Sequence, residues 1–111
     1  MDLENTIMEL LVHAGSARSH AMMALQQARR GNFAAAEQAM NESRQAVSHA
    51  HGMQTELISI DEGCGKIPVN LIIVHAQDHL MNAMVIQDLA VDMIELYRRL
   101  PSAVAEQSHH L

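Results

Sequence analysis

The chain has no tryptophan, one phenylalanine, one tyrosine, two prolines, five glycines and one cysteine in 111 residues. With so few aromatic rings, its 49% hydrophobic content rests mainly on Ala, Met, Leu, Ile and Val. These side chains suit closely approaching helices and point to an all-α fold. The lone Cys64 excludes an intramolecular disulfide. Apolar runs such as Leu71 to Val74 fall far short of the roughly 20 residues a membrane helix needs, and nothing near Met1 reads as a signal peptide. A reducing cytoplasm is the expected compartment. Positive charge is scarce: 7 Lys and Arg against 13 Asp and Glu leave a net charge of −6. That balance argues against nucleic acid or an anionic membrane as the main partner, because both demand a basic surface. The length suits one domain, residues 1–111, near the size where oligomerisation often completes burial.

What the chain does have is heptad periodicity. Leu3, Ile7, Leu10, Ala14, Ala17, Ala21, Ala24 and Ala28 are spaced alternately by four and three residues, which predicts a first helix over about 3–30 ended by Gly31. Asn32 is placed to cap a second helix, about 33–60, whose stripe is Ala36, Met40, Ser43, Val47, Ala50 and Leu57 with Gln54 as a polar interruption. Asp61 to Lys66, with two glycines and no periodicity, reads as the one real loop. A third helix is expected from about Pro68, in its first turn, to Leu100, with Pro101 stopping it and a tail over 101–111. The expected architecture is an antiparallel three-helix bundle.

The third helix carries two stripes. Its expected core stripe is Val69, Ile72, Ala76, His79, Ala83, Ile86, Ala90, Met93, Tyr97 and Leu100. Beside it runs a second, about half apolar: Leu71, His75, Asp78, Asn82, Val85, Leu89, Asp92 and Leu96. A helix in a lone three-helix monomer has one face to bury, so this second stripe suggests a homo-oligomer in which copies of helix three meet. The alternative is that it widens the monomer core.

His75, Asp78, His79 and Asn82 fall within an arc of roughly 100° on a helix, the i, i+3, i+4, i+7 relation that makes side chains neighbours. Three readings are open. Imidazoles four residues apart chelate transition metals, with Asp78 as a possible third ligand. One imidazole could instead be a nucleophile whose neighbours support the group it receives, and a phosphoryl group is the natural cargo. Imidazole is partly neutral near pH 7, and its phosphoramidate is labile enough to pass the group on. Finally, both histidines could be packed helix residues hydrogen-bonded to Asp78 or to carbonyls.

The string Val74-His75-Ala76-Gln77-Asp78-His79-Leu80-Met81 resembles the active-site signature of the IIA components of the lactose, cellobiose and chitobiose class of the bacterial sugar phosphotransferase system. Gly15-Ser16-Ala17-Arg18-Ser19, Gly31-Asn32-Phe33-Ala34-Ala35-Ala36, Ala50-His51 with Gln54-Thr55, and Gly65-Lys66 resemble that family in order and spacing. The resemblance implies that His75 is phosphorylated, on the nitrogen remote from the backbone, by the phosphocarrier HPr, and passes the group to a cysteine of the cognate IIB. It implies that Gln77 and His79 lie around the phosphoryl group. It also implies that Asp78 meets its copies on the axis of a homotrimer around a divalent cation, commonly Mg²⁺. Carboxylates about 5 Å apart at an effective dielectric of about 20 repel by about 3 kcal/mol per pair, so such a cluster needs protons or a cation. An octahedral site of oxygens and water suits Mg²⁺. The sugar itself is not legible. If the resemblance failed, the alternative would be a non-enzymatic helical metal-binding or adaptor protein.

The remaining histidines, His13, His20, His49, His51, His109 and His110, are expected to be surface or packing residues. His13 and His20 depart from the family's usual side chains without touching the motif. The nine Met residues are read as adaptable packing.

Overall fold

The computed structural model describes residues 2–101, so the His109-His110 tail lies outside the described residues. The chain forms three helices, α1 (Leu3–Arg29), α2 (Phe33–Asp61) and α3 (Leu71–Arg99). They alternate in direction, and at 1.5 Å per residue the longest measure about 43 Å. No described helix is long and apolar enough to cross a membrane.

The ends of α1 show why the chain turns where it does. Asp2 accepts from Asn5 N–H at 3.3 Å, capping the helix. At the other end Gly31, at φ 83°, takes the left-handed conformation that closes a Schellman turn. Gly31 N–H donates to Ala28 O at 3.0 Å and Asn32 N–H to Gln27 O at 2.9 Å. Asn32 precedes α2 as expected, but its side chain does not cap that helix. It donates instead to Gln27 Oε1 at 3.1 Å, because the same residue is still finishing α1.

α1 is the hub. Ile7, Leu10, Ala14, Ala17, Ala21, Ala24 and Ala28 are all buried, as its heptad predicted, and α1 packs extensively on both partners while α2 and α3 touch each other far less. Alanine at five of these seven positions lets two backbones approach one helix closely. Leu10, Ala50, Leu57, Ile73 and Leu80 fill one end of the core, and Ala24, Met40, Ala90 and Ile94 fill the other. Between them sits Ser43, fully buried, whose hydroxyl donates to Ala17 O at 2.8 Å and lies 3.1 Å from the Gln87 side chain. One residue thus ties all three helices at mid-height. Arg98 closes the far end, pairing with Glu37 at 2.8 Å and lying 5.1 Å over the Phe33 ring.

Two expectations for α3 are corrected. The helix starts at Leu71, with Asn70 as its cap accepting from Ile73 N–H at 3.0 Å, and Pro68 lies outside it. A start at Pro68 would make Ile67 the cap, and an apolar side chain cannot accept an N–H. Ile67 is buried instead, its own N–H donating to Asp61 Oδ1 at 2.9 Å. The connection therefore runs from Glu62 to Asn70, with Glu62, Gly63 and Gly65 at positive φ.

The core stripe of α3 is Ile73, Ala76, Leu80, Ala83, Ala90 and Ile94, not the predicted one, with which it shares only Ala76, Ala83 and Ala90. α3 is apolar on so many sides that its periodicity leaves the facing ambiguous. Packing places the larger Ile73, Leu80 and Ile94 between α1 and α2 and turns Ile72 and Met93 out. The second stripe, Leu71 through Leu96, is exposed at every position, so it does not widen the monomer core.

Leu10 is fully buried. Leu10→Ala is expected to lower unfolding free energy by about 2–5 kcal/mol, read as a lower urea midpoint with an unchanged slope.

Candidate functional site

Because Ile73, Ala76 and Leu80 face inward, the residues between them are distributed around the outside of α3. His75 is exposed, and Asp78 lies on the face away from the core, also exposed. His79 is half-buried on one flank of α3 and Gln77 half-buried on the other. At 100° per residue His75 and Gln77 are about 200° apart. Within one chain His75 and His79 are brought together, and Gln77 is not brought to them.

The His75 and His79 rings stack with centroids 5.7 Å apart and planes 21° from parallel. The floor beneath them is α1. A Cβ on Gly15 would lie 3.5 Å from His79 Nε2, so the missing side chain leaves the imidazole free space at an ordinary contact distance. No hydrogen bond from the described residues occupies either nitrogen of His75, which leaves both available.

On the opposite flank, Gln77 Oε1 accepts from Gln54 Nε2, and the same Gln54 nitrogen lies 3.7 Å from Met81 Sδ. Among the described residues Gln54 is one of two buried polar ones. Its contact engages the Gln77 oxygen, and no described residue accepts from the Gln77 NH2 group. Beside it lies an apolar groove of about 490 Å³ between the end of α2 and the start of α3, lined by Leu57, Ile67, Ile73 and Met81 and bordered by Gln77 and Asp78.

Asp78 Oδ2 accepts from Asn82 Nδ2 at 3.2 Å. Among the described residues no group of three or more His, Cys, Asp or Glu side chains is placed to hold a metal ion, and His75, Asp78 and His79 do not form one. The expectation that His75, Asp78 and His79 of one chain chelate a metal is therefore corrected. The two rings lie face to face rather than aiming at one point, and Asp78 is turned toward Asn82. Of the packed reading, the structure keeps the partial burial of His79 against α1 but not of the exposed His75, and among the described residues neither ring is hydrogen-bonded to Asp78 or to a carbonyl.

Two contributors escaped the sequence reading. Gln54 was noted as a polar interruption in an apolar stripe and in a segment that resembles the family, and the break in the stripe was the signal for a buried partner. Gly15, a glycine inside a long helix, marked the close approach of another group.

The fold is a three-helix bundle with an exposed imidazole on its last helix, His75, that no described residue hydrogen-bonds. The family described as "PTS system, Lactose/Cellobiose specific IIA subunit" matches residues 5–98. The chain belongs to this family and is a phosphotransferase component. It is 48% identical over 99 residues to the N,N'-diacetylchitobiose-specific EIIA component of Escherichia coli, covering 89% of this chain and 85% of that protein. The cellobiose-specific enzyme IIA of Bacillus anthracis superposes with a TM-score of 0.85 at 41% identity, over 90% of this chain and 92% of that one. The chitobiose IIA of Escherichia coli, solved in complex with HPr, gives a TM-score of 0.78 at 47% identity, over 90% and 97%.

Glycine inside a helix costs about 0.5–1 kcal/mol relative to alanine, and the Gly15 Cβ position meets His79 only at 3.5 Å. Gly15→Ala is expected to raise unfolding free energy by about that amount in urea titration and to leave the His79 ring resonances in place. Gly15→Leu is expected to shift them.

Proposed function

We propose that this chain is the phosphocarrier of a sugar phosphotransferase system for chitobiose- or cellobiose-type sugars, working in the cytoplasm, with His75 as the residue that carries the phosphoryl group. The observation that carries this reading is the His75 imidazole, exposed on a rigid helix with neither nitrogen hydrogen-bonded among the described residues. Its ring nitrogen remote from the backbone attacks phosphorus as the P–N bond of phosphorylated HPr breaks, and the donor histidine leaves. In the second transfer a cysteine thiolate of IIB takes the group and His75 is regenerated. An accessible imidazole allows both partners to reach the same atom in turn. The work of the protein is alignment around a loose transition state, for which a side chain on a long, packed helix is suited. His79, stacked beside His75, is the support within the same chain. Gln77, turned to the other flank, can serve a phosphoryl group only on another copy.

The same reading makes the exposed α3 stripe the contact of a homotrimer. Val85, Leu89 and Leu96 are 55%, 55% and 64% exposed, large apolar surfaces that association would bury. Asp78 and Asn82 lie in this stripe. One chain offers the carboxylate alone, so a cation fits only where copies bring their Asp78 groups together. Oxygen donors with water suit a hard ion such as Mg²⁺, which would neutralise the converging carboxylates and the added charge of a nearby phosphohistidine.

Incubation with phosphorylated HPr is expected to place an acid-labile label on wild type and none on His75→Ala; label retained by that variant would overturn the assignment. Sedimentation is expected to give three times the 12.3 kDa chain mass. Asp78→Leu is expected to remain trimeric without metal, since apolar contacts replace repelling carboxylates. A monomeric wild type, or an Asp78→Leu chain that dissociates while wild type holds, would remove Asp78 from the axis.

A further inference from the structure

The seam between α1 and α2 carries two histidine contacts a heptad apart, and they differ in what their nitrogens do. His20 is occupied at both: Nδ1 lies 2.8 Å from Ser16 O, and Nε2 lies 2.9 Å from a Glu42 carboxylate oxygen. His13 of α1 and His49 of α2 face each other with ring centroids 4.2 Å apart and planes tilted 54°. No hydrogen bond from the described residues reaches any of their four nitrogens. No side-chain nitrogen of His13 is buried without a partner, and His49 is exposed, so the lone pairs are open to solvent.

Two unpaired imidazoles from different helices have one chemical property in common that packing does not use, which is nitrogen lone pairs suited to late first-row transition ions. Zn–N bonds of about 2.0–2.1 Å at a tetrahedral angle would place the two ring centroids about 5 Å apart. That is about 1 Å wider than observed, an opening that rotation of an exposed side chain supplies. A hollow adjoins His49, bordered by Gln45, Met53 and Glu56. Gly52 forms part of it, with nothing within 4 Å of where its Cβ would stand. This is open space on the His49 side of the pair, and since no third described His, Cys, Asp or Glu converges on the two rings, water must complete the coordination.

We propose that His13 and His49 form a two-imidazole site for a late first-row transition cation, joining α1 to α2 and independent of His75. It goes beyond the expectation that both are surface or packing residues. An ion held there binds only the folded chain and stabilises it by mass action.

The test is calorimetric titration of the full chain with ZnCl2, alongside thermal unfolding with and without zinc. Wild type is expected to bind one zinc per chain and to melt higher with it. His13→Gln and His49→Gln, which keep a polar side chain of similar bulk, are expected to lose the melting shift. Their affinity should fall by at least the roughly tenfold that loss of an outer-shell partner costs. A chain carrying His75→Ala with His79→Ala, and one carrying His109→Ala with His110→Ala, are expected to bind zinc as wild type does. Absence of binding by wild type, unchanged binding in His13→Gln and His49→Gln, or loss of binding in either control chain would overturn the proposal.

Discussion

Every feature of this bundle depends on the buried face of α1, where alanine recurs from Ala14 to Ala28. A surface of small side chains lets two helices lie close against one, and α2 and α3 accordingly pack on α1 far more than on each other. Hydrophobic burial along that seam supplies most of the driving force in a core with almost no aromatic rings. The consequence is asymmetric: α3 is held along one narrow stripe and is free over the rest of its circumference. A helix buried on two sides could not display His75, Asp78 and the apolar positions Val85, Leu89 and Leu96 together on its outside.

The arrangement also distributes the polar residues of the motif among different neighbours. His79 reaches the space left by Gly15 on α1, while Gln77 is held from the other side by Gln54 on α2. Residues two apart in one string therefore answer to different helices. An imidazole on a rigid, already ordered surface requires little ordering when it is met by another protein. The buried Ser43, tied to Ala17 and close to Gln87, keeps the three helices in register, and with it the relative heights of Gly15, Gln54 and the motif.

Much of the fold was legible before any coordinates. The alternating spacing of α1 matched its buried face from Ile7 to Ala28, with Leu3 only partly buried, because Ile, Leu and Ala alternate there with strongly polar residues such as Glu9, Arg18 and His20. The motif was legible too, since two imidazoles, a carboxylate and an amide stand out in an apolar segment. The facing of α3 was not. Ile72, Ile73, Val74, Leu80 and Met81 are all apolar, and periodicity cannot say which of them a neighbour will cover. The start of α3 was misplaced for a related reason: Pro68 suits a first turn locally, yet Asn70 is the residue able to cap and Ile67 the one that burial draws inward.

By itself the sequence determined the helical class, the three segments, most of the α1 core stripe and the string of candidate site residues. These follow from local propensity and from spacing within one helix. Tertiary structure alone decided which side of α3 is covered, that His75 is free, that Gln77 and His79 lie on opposite flanks, and that His13 meets His49 across two helices. Those facts are relations between helices, set by how large side chains interlock on the alanine face of α1, and no periodicity within a single helix contains them.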